Sequence, residues 1–140
     1  MAESPKTHAA ILVVEDYFFG KRTSHHLQEL VQSARILSAD NAEEAIQKLT
    51  AHEGKLHAVF VGSLSRSGGT DAAAGLIRHM RAQGFNGPIM ADPRIDTHVA
   101  KLREAGCSHV YDGASRRWPA SPQLHAARQI LALCDGQATS

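Results

Sequence analysis

Apolar runs of strand length alternate along this chain with segments whose apolar residues recur every three or four positions. Such alternation is typical of an α/β fold in which helices connect the strands of a parallel sheet. The pattern repeats five times and predicts five strands and five helices. The predicted strands are Ala10–Val14, Arg35–Ala39, Ala58–Val61, Pro88–Ala91 and His109–Tyr111.

Start and stop signals delimit the predicted helices. Asn41 with Glu44 three residues later resembles a capping box, and Ser121 followed by Pro122 is a typical helix start. Glycine favours the conformation that ends a helix. Three further helices are predicted: one from the helical spacing over Tyr17–Gln32, one over Thr70–Gln83 and one through Val99 and Leu102. Gly54 ends the second helical unit, and Gly106 ends the fourth.

Length and composition favour a single domain. A chain of 140 residues with 43% hydrophobic content builds one core comfortably. We expect a stand-alone domain over 9–134, with a flexible N-terminus at 1–8 and a polar tail at 135–140. The net charge of +1 does not attract DNA, and no apolar stretch is long enough for membrane insertion. Cys107 and Cys134 lie outside any CxxC spacing, which suits the reducing cytoplasm.

Two features at strand ends carry the chemistry of this sequence. The first strand runs into Glu15-Asp16, and the third ends at Gly62. Together with the order of elements and the Ala105-Gly106-Cys107-Ser108 segment, the Val-Val-Glu-Asp ending resembles the response-regulator receiver (CheY-like) family. The resemblance covers about 9–133. It implies a flavodoxin-like, doubly wound five-stranded sheet of order 2-1-3-4-5 with helices on both faces.

The same resemblance places Gly62 on the phosphoacceptor aspartate and Glu15 and Asp16 on the two magnesium-binding acids. Glycine has no nucleophilic side chain, so an acyl phosphate cannot form at position 62. Two carboxylates alone hold magnesium weakly. We therefore favour a solvated acidic pair over a magnesium site and expect no cofactor. The missing third carboxylate relieves charge repulsion, which favours a domain held in one state.

Further positions of the receiver pattern are also replaced. The switch hydroxyl after the fourth strand becomes Pro93, or Asp92 if the alignment shifts by one residue. The lysine that would contact phosphate becomes Gly113, and the aromatic switch position becomes Val110. These replacements indicate a degenerate receiver that is not phosphorylated at the usual site and is not an enzyme.

A basic, tryptophan-bearing group near the fifth strand is the candidate recognition surface. Arginine and tryptophan are favoured at binding hot spots. Docking of a signalling protein, such as a histidine kinase, another regulator or an output protein, is the preferred interpretation, and a homodimer is a further candidate. Guanidiniums also bind phosphates, so cyclic di-GMP, bound by some receiver-like proteins that this chain resembles, is the alternative ligand. The candidate residues are Arg94, Arg103, Arg116, Arg117 and Trp118, with Lys101 on the same segment.

Overall fold

Five parallel strands form one sheet in the order β2-β1-β3-β4-β5. The computed structural model describes residues 10–16, 23–30, 35–52, 54–62, 64, 68–92, 98–110 and 130. This sheet order is the predicted one. The strands are β1 (Ala10–Val14), β2 (Arg35–Ala39), β3 (Leu56–Val61), β4 (Ile89–Ala91) and β5 (His109–Val110).

Four helices lie within the described residues: α1 (Thr23–Leu30), α2 (Ala42–Ala51), α3 (Gly69–Ala82) and α4 (Val99–Ala105). They follow the first four strands in turn, as the sequence predicts. Of the predicted fifth helix, Ile130 is described; it is helical and buried. The rest of that helix lies outside the described residues. No helix in the described part of the chain is long and apolar enough to cross a membrane.

The sheet is covered on both faces. Every residue of β1 is buried. Successive side chains of a strand point to opposite sides of the sheet, so both sides of β1 must be covered. Leu12 and Val14 pack with α2, α3 and α4, whereas Ile11 and Val13 pack with α1 and Ile130. A strand buried on both faces needs a continuous apolar run, which is the pattern seen in the sequence. Helices on both faces of a parallel sheet confirm the doubly wound architecture.

The signals at the ends of α2 and α4 act as predicted. Asn41 Oδ1 accepts a hydrogen bond of 2.8 Å from the Glu44 amide, so Asn41 is the N-cap of α2. The Glu44 carboxylate reaches back to the amide of Asp40, at 2.7 Å, one residue before the cap. Gly106 ends α4 with φ of 120°, a conformation that suits glycine. Local chemistry therefore sets these boundaries.

Strand ends differ slightly from the predictions. The β3 strand begins at Leu56, two residues earlier than expected, because Leu56 already pairs with Ala10 of β1. The β4 strand begins at Ile89, after Pro88, which has no amide hydrogen for the ladder. Both differences lie at the amino ends of the strands, on the side of the sheet opposite the candidate site.

Candidate functional site

The carboxyl ends of the strands meet in one layer of the sheet. Val14 pairs with Ala39 on one side and with Val61 on the other, and Val61 pairs with Ala91. The next residues continue this ladder: the amides of Glu15, Gly62 and Asp92 donate to the carbonyls of Ala39, Val14 and Val61, at 3.0, 2.7 and 3.0 Å. Glu15, Gly62 and Asp92 therefore lie side by side along this edge, which we call the carboxyl edge.

Glu15 and Asp16 are buried. Each is only 3% exposed, so the expectation of a solvated acidic pair is wrong. Glu15 can be buried because both of its carboxylate oxygens accept hydrogen bonds. Oε1 accepts from the Thr23 amide at 2.7 Å, and Oε2 accepts from Thr23 Oγ1 at 2.9 Å. Hydrogen bonds to a carboxylate are the means by which its burial becomes tolerable.

Thr23 is the first described residue of α1. Its amide and its hydroxyl both donate to the Glu15 carboxylate. We call this pair of hydrogen bonds the Glu15–Thr23 clasp. It joins the end of β1 to α1.

Gly62 is buried against the Glu15–Thr23 clasp. A β-carbon at position 62 would lie 3.2 Å from Glu15 Oε2 and 2.8 Å from Phe60 Cε2. The second distance is shorter than two unbonded carbon atoms tolerate. The backbone of Gly62 is not in the left-handed region, so its requirement for glycine comes from crowding. A side chain at position 62 would therefore require Phe60 or Glu15 to shift.

A divalent cation, implied by the family resemblance, does not fit the described residues. Magnesium requires several oxygen ligands in nearly octahedral geometry. Both oxygens of Glu15 already accept hydrogen bonds from Thr23, and position 62 contributes no side chain. Among the described residues, no three His, Cys, Asp or Glu side chains converge as metal ligands. Among the described residues, the contact shown for the Glu15 carboxylate is the one with Thr23 of α1.

The positions that the family resemblance assigns to the switch residues are only partly within the described residues. Asp92 follows β4 directly and lies beside Gly62 through its hydrogen bond to Val61. Val110 is half-buried in β5, where it pairs with Ala91. Pro93 and Gly113 lie outside the described residues. An acidic side chain therefore follows β4 at the position nearest to Gly62.

Two side-chain pairs join the first turns of α3 and α4 next to the carboxyl edge. Thr70 Oγ1 and His98 Nδ1 are 2.7 Å apart, and Lys101 forms an ion pair with Asp71. The Lys101 ammonium lowers the pKa of the Asp71 carboxyl, first through this hydrogen bond and then through its charge. We call these two contacts the α3–α4 bridge. They join the N-terminal end of α4 to the N-terminal end of α3.

The predicted recognition surface is represented by Arg103 within the described residues. Arg103 is exposed on α4, as are Glu104 on the same helix and His109 on β5. Lys101, which the sequence placed in the same basic group, is instead partnered by Asp71. Arg94, Arg116, Arg117 and Trp118 lie outside the described residues. The exposed surface of α4 and β5 therefore presents charges of both signs.

Sequence reasoning missed the polar contacts that organise the site. The sequence placed Thr23 only within the predicted helical segment Tyr17–Gln32, yet Thr23 is buried and binds Glu15. Threonine side chains commonly form local hydrogen bonds, and this was the available signal. The pairing of Thr70 with His98 joins residues 28 positions apart, and no local pattern reports such a contact.

Comparison with known proteins gives matches of structure and none of sequence. No family model matches the chain, and no curated protein matches it. A two-component response regulator from Clostridium difficile superposes with a TM-score of 0.65 over 93% of this chain and 98% of its own, at 18% identity. The chemotaxis response regulator CheY4 of Vibrio cholerae gives 0.64 over 90% and 98%, at 15% identity.

A third similar structure is the CheX-CheY-BeF3-Mg complex from Borrelia burgdorferi, with a TM-score of 0.64 over 89% of this chain and 87% of the matched chain, at 15% identity. These likenesses cover almost the whole chain. The chain therefore has the flavodoxin-like fold of response-regulator receiver (CheY-like) domains. At such low identity the likeness defines the fold and leaves function to the residues of the site.

Proposed function

We propose that this protein is a degenerate receiver domain that signals in a two-component-type system without phosphorylation at the carboxyl edge. The observation that carries the proposal is Gly62, which lies at the end of β3 in the sheet layer shared with Glu15 and Asp92. The side chain that would accept a phosphoryl group in a receiver is missing there. The proposed role is that of a cytoplasmic docking module, not an enzyme.

The chemistry of phosphoryl transfer supports this proposal. An aspartyl phosphate forms when a carboxylate oxygen attacks phosphorus, with a divalent ion neutralising the phosphoryl oxygens. Gly62 provides no oxygen nucleophile, and Glu15 uses both carboxylate oxygens in the Glu15–Thr23 clasp. Neither the nucleophile nor a complete set of ion ligands is present among the described residues.

The proposed docking surface is the face of α4 and β5 together with the predicted last helix, which lies outside the described residues except for Ile130. On α4, Arg103 and Glu104 are exposed, and the α3–α4 bridge joins this helix to α3. The proposed partner is a histidine kinase, another regulator or an output protein, with self-association as a homodimer the other outcome.

A charge-reversal pair tests the docking surface. Tagged Arg103→Glu and Arg78→Glu proteins would be used as baits beside the native sequence, because both arginines are exposed but Arg78 lies on α3. We expect Arg103→Glu to lose the two-component proteins that the native bait retains, and Arg78→Glu to keep them. Equal capture by both variants would contradict docking through α4.

The alternative function is binding of a cyclic dinucleotide through arginines near β5. It is favoured by the Arg116-Arg117-Trp118 sequence together with the exposed guanidinium of Arg103, since planar guanidiniums pair well with phosphates. Calorimetric titration with cyclic di-GMP separates the two functions. Saturable heat that an Arg116→Ala, Arg117→Ala variant loses would establish the nucleotide-binding function; absence of heat leaves docking alone.

A further inference from the structure

We infer that Glu15 has become an anchor of α1, and that this anchor, together with the Phe60 ring, crowds out a side chain at position 62. The inference rests on the proposed function and deepens it. The family resemblance places the phosphoacceptor aspartate at position 62. The inference implies that Gly62→Asp, which puts an aspartate there, does not create a phosphoacceptor site. Glycine at 62 and glutamate at 15 act as one unit.

The anchor is built from two short hydrogen bonds in a buried setting. The Thr23 amide and hydroxyl both donate to the Glu15 carboxylate, at 2.7 and 2.9 Å, and Thr23 is itself only 1% exposed. A carboxylate removed from water is strongly destabilising unless charge-assisted hydrogen bonds compensate it. Any change that moves this carboxylate away from Thr23 therefore leaves a buried charge with fewer hydrogen bonds.

The oxygen that binds the Thr23 hydroxyl is the same atom that a side chain at position 62 would approach. A β-carbon there would lie 3.2 Å from Glu15 Oε2 and 3.3 Å from Glu15 Cβ. On its other side it would lie 2.8 Å from Phe60 Cε2, and Phe60 is packed in the core with Leu27 of α1. Relief of the crowding requires that either Glu15 or Phe60 move, and both support α1.

An aspartate at position 62 adds charge to this crowding. Its carboxylate would be introduced beside the buried Glu15, and like charges in a shared buried site disfavour ionisation of both groups. The nucleophile for phosphoryl transfer is the ionised carboxylate. Gly62→Asp is therefore expected to weaken the attachment of α1 without yielding an acyl phosphate.

Hydrogen exchange of the Thr23 amide reports on the anchor directly. We expect Gly62→Ala to accelerate this exchange by about tenfold, the effect of losing one hydrogen bond to a charged group. Gly75→Ala is the matched control, because a β-carbon at Gly75 of α3 meets nothing within 4 Å. Unchanged Thr23 exchange in folded Gly62→Ala protein would overturn the inference.

A double-mutant cycle tests whether the two positions act together. In Glu15→Asp the carboxylate is one methylene shorter, so it retreats from both Thr23 and position 62. The inference predicts that Gly62→Ala accelerates Thr23 exchange much less in this background than in the native one. Independent effects of the two substitutions would contradict the coupling.

A second pair of variants serves if Gly62→Ala does not fold. Thr23→Ser retains the hydroxyl that donates to Glu15, whereas Thr23→Val removes it at similar volume. The inference predicts native-like exchange of the α1 amides in Thr23→Ser and faster exchange in Thr23→Val. Equal exchange in the two variants would show that the hydroxyl is not part of an anchor.

Incubation with acetyl phosphate and magnesium separates this inference from the proposed function. Phosphorylation of Gly62→Asp but not of the native protein would overturn the anchoring inference and leave the proposed function standing. Phosphorylation of the native protein would overturn the proposed function, whatever the exchange data show. No phosphorylation of either protein supports both.

Discussion

Arg81 illustrates how one side chain joins three parts of this fold. Its Nε donates to the carbonyl of Gly106 at 2.9 Å, and its Nη1 donates to the carbonyls of Phe85 and Gly87, both at 2.8 Å. Partial burial lowers the pKa of the guanidinium, which still remains charged because arginine titrates so high. The planar guanidinium suits this arrangement, since it presents several donors in fixed directions.

Replacing Arg81 is expected to destabilise the protein. Arg81→Met keeps much of the aliphatic stem but leaves three carbonyls without their donors, and three such bonds together contribute about 3 kcal/mol. Arg78→Met is the control because Arg78 is exposed on the same helix and should change stability by less than about 0.5 kcal/mol. Urea unfolding of the two variants measures both effects. Similar losses in both would contradict the role of Arg81.

At the scale of elements, α2 closes part of the outer edge of the sheet. The Ala39 carbonyl points towards β1, because it accepts a hydrogen bond from the Glu15 amide. Backbone groups of successive strand residues point in opposite directions, so the Ser38 carbonyl and the Asp40 amide point away from β1. Lys48 of α2 donates to the Ser38 carbonyl, and Glu44 accepts from the Asp40 amide. Exposed strand edges invite pairing with other chains. These two side chains cover the carboxyl half of the β2 edge.

The α3–α4 bridge gives a pH-dependent contact between two elements. Lys101 lowers the pKa of Asp71 below its ordinary value of 3.8, and the nearby charges of His98 and Arg78 contribute in the same direction. A lowered pKa in the folded state means that this contact stabilises the protein above the ordinary pKa. The stabilisation is lost as the pH falls through the lowered value.

We expect Lys101→Ala to return the pKa of Asp71 towards 3.8. An NMR titration of the Asp71 carboxyl carbon in the two proteins measures the change. Lys55→Ala is the control, because Lys55 lies in the exposed turn before β3. Added salt should reduce the difference, since the Asp71 side chain is largely exposed. An Asp71 pKa that is the same with and without Lys101 would contradict the bridge.

Across the whole molecule, the sequence predicted the sheet because its signals are local. A continuous apolar run such as Ala10–Val14 indicates a strand buried on both faces, and Asn41 with Glu44 marks a helix start; both were confirmed. The strand order came from the family resemblance, and the structure has the same order.

The candidate site was predicted less completely because its contacts join distant residues. The sequence located Glu15 and Gly62 at strand ends, but it did not indicate that Glu15 would be buried against Thr23, eight residues later. Burial depends on packing in three dimensions, and a pair of acids looks the same in a sequence whether it faces solvent or the protein interior. The role of Glu15 as an anchor therefore required the structure.

The proposed function requires that the protein works without phosphorylation at the carboxyl edge. To test this, the native protein would be incubated with acetyl phosphate and magnesium, and its intact mass and amide NMR spectrum recorded. We predict no gain of a phosphoryl group and no shift in the amides of Glu15, Gly62 and Asp92. A phosphorylated species, with shifts that spread from this edge to α4, would contradict the proposed function.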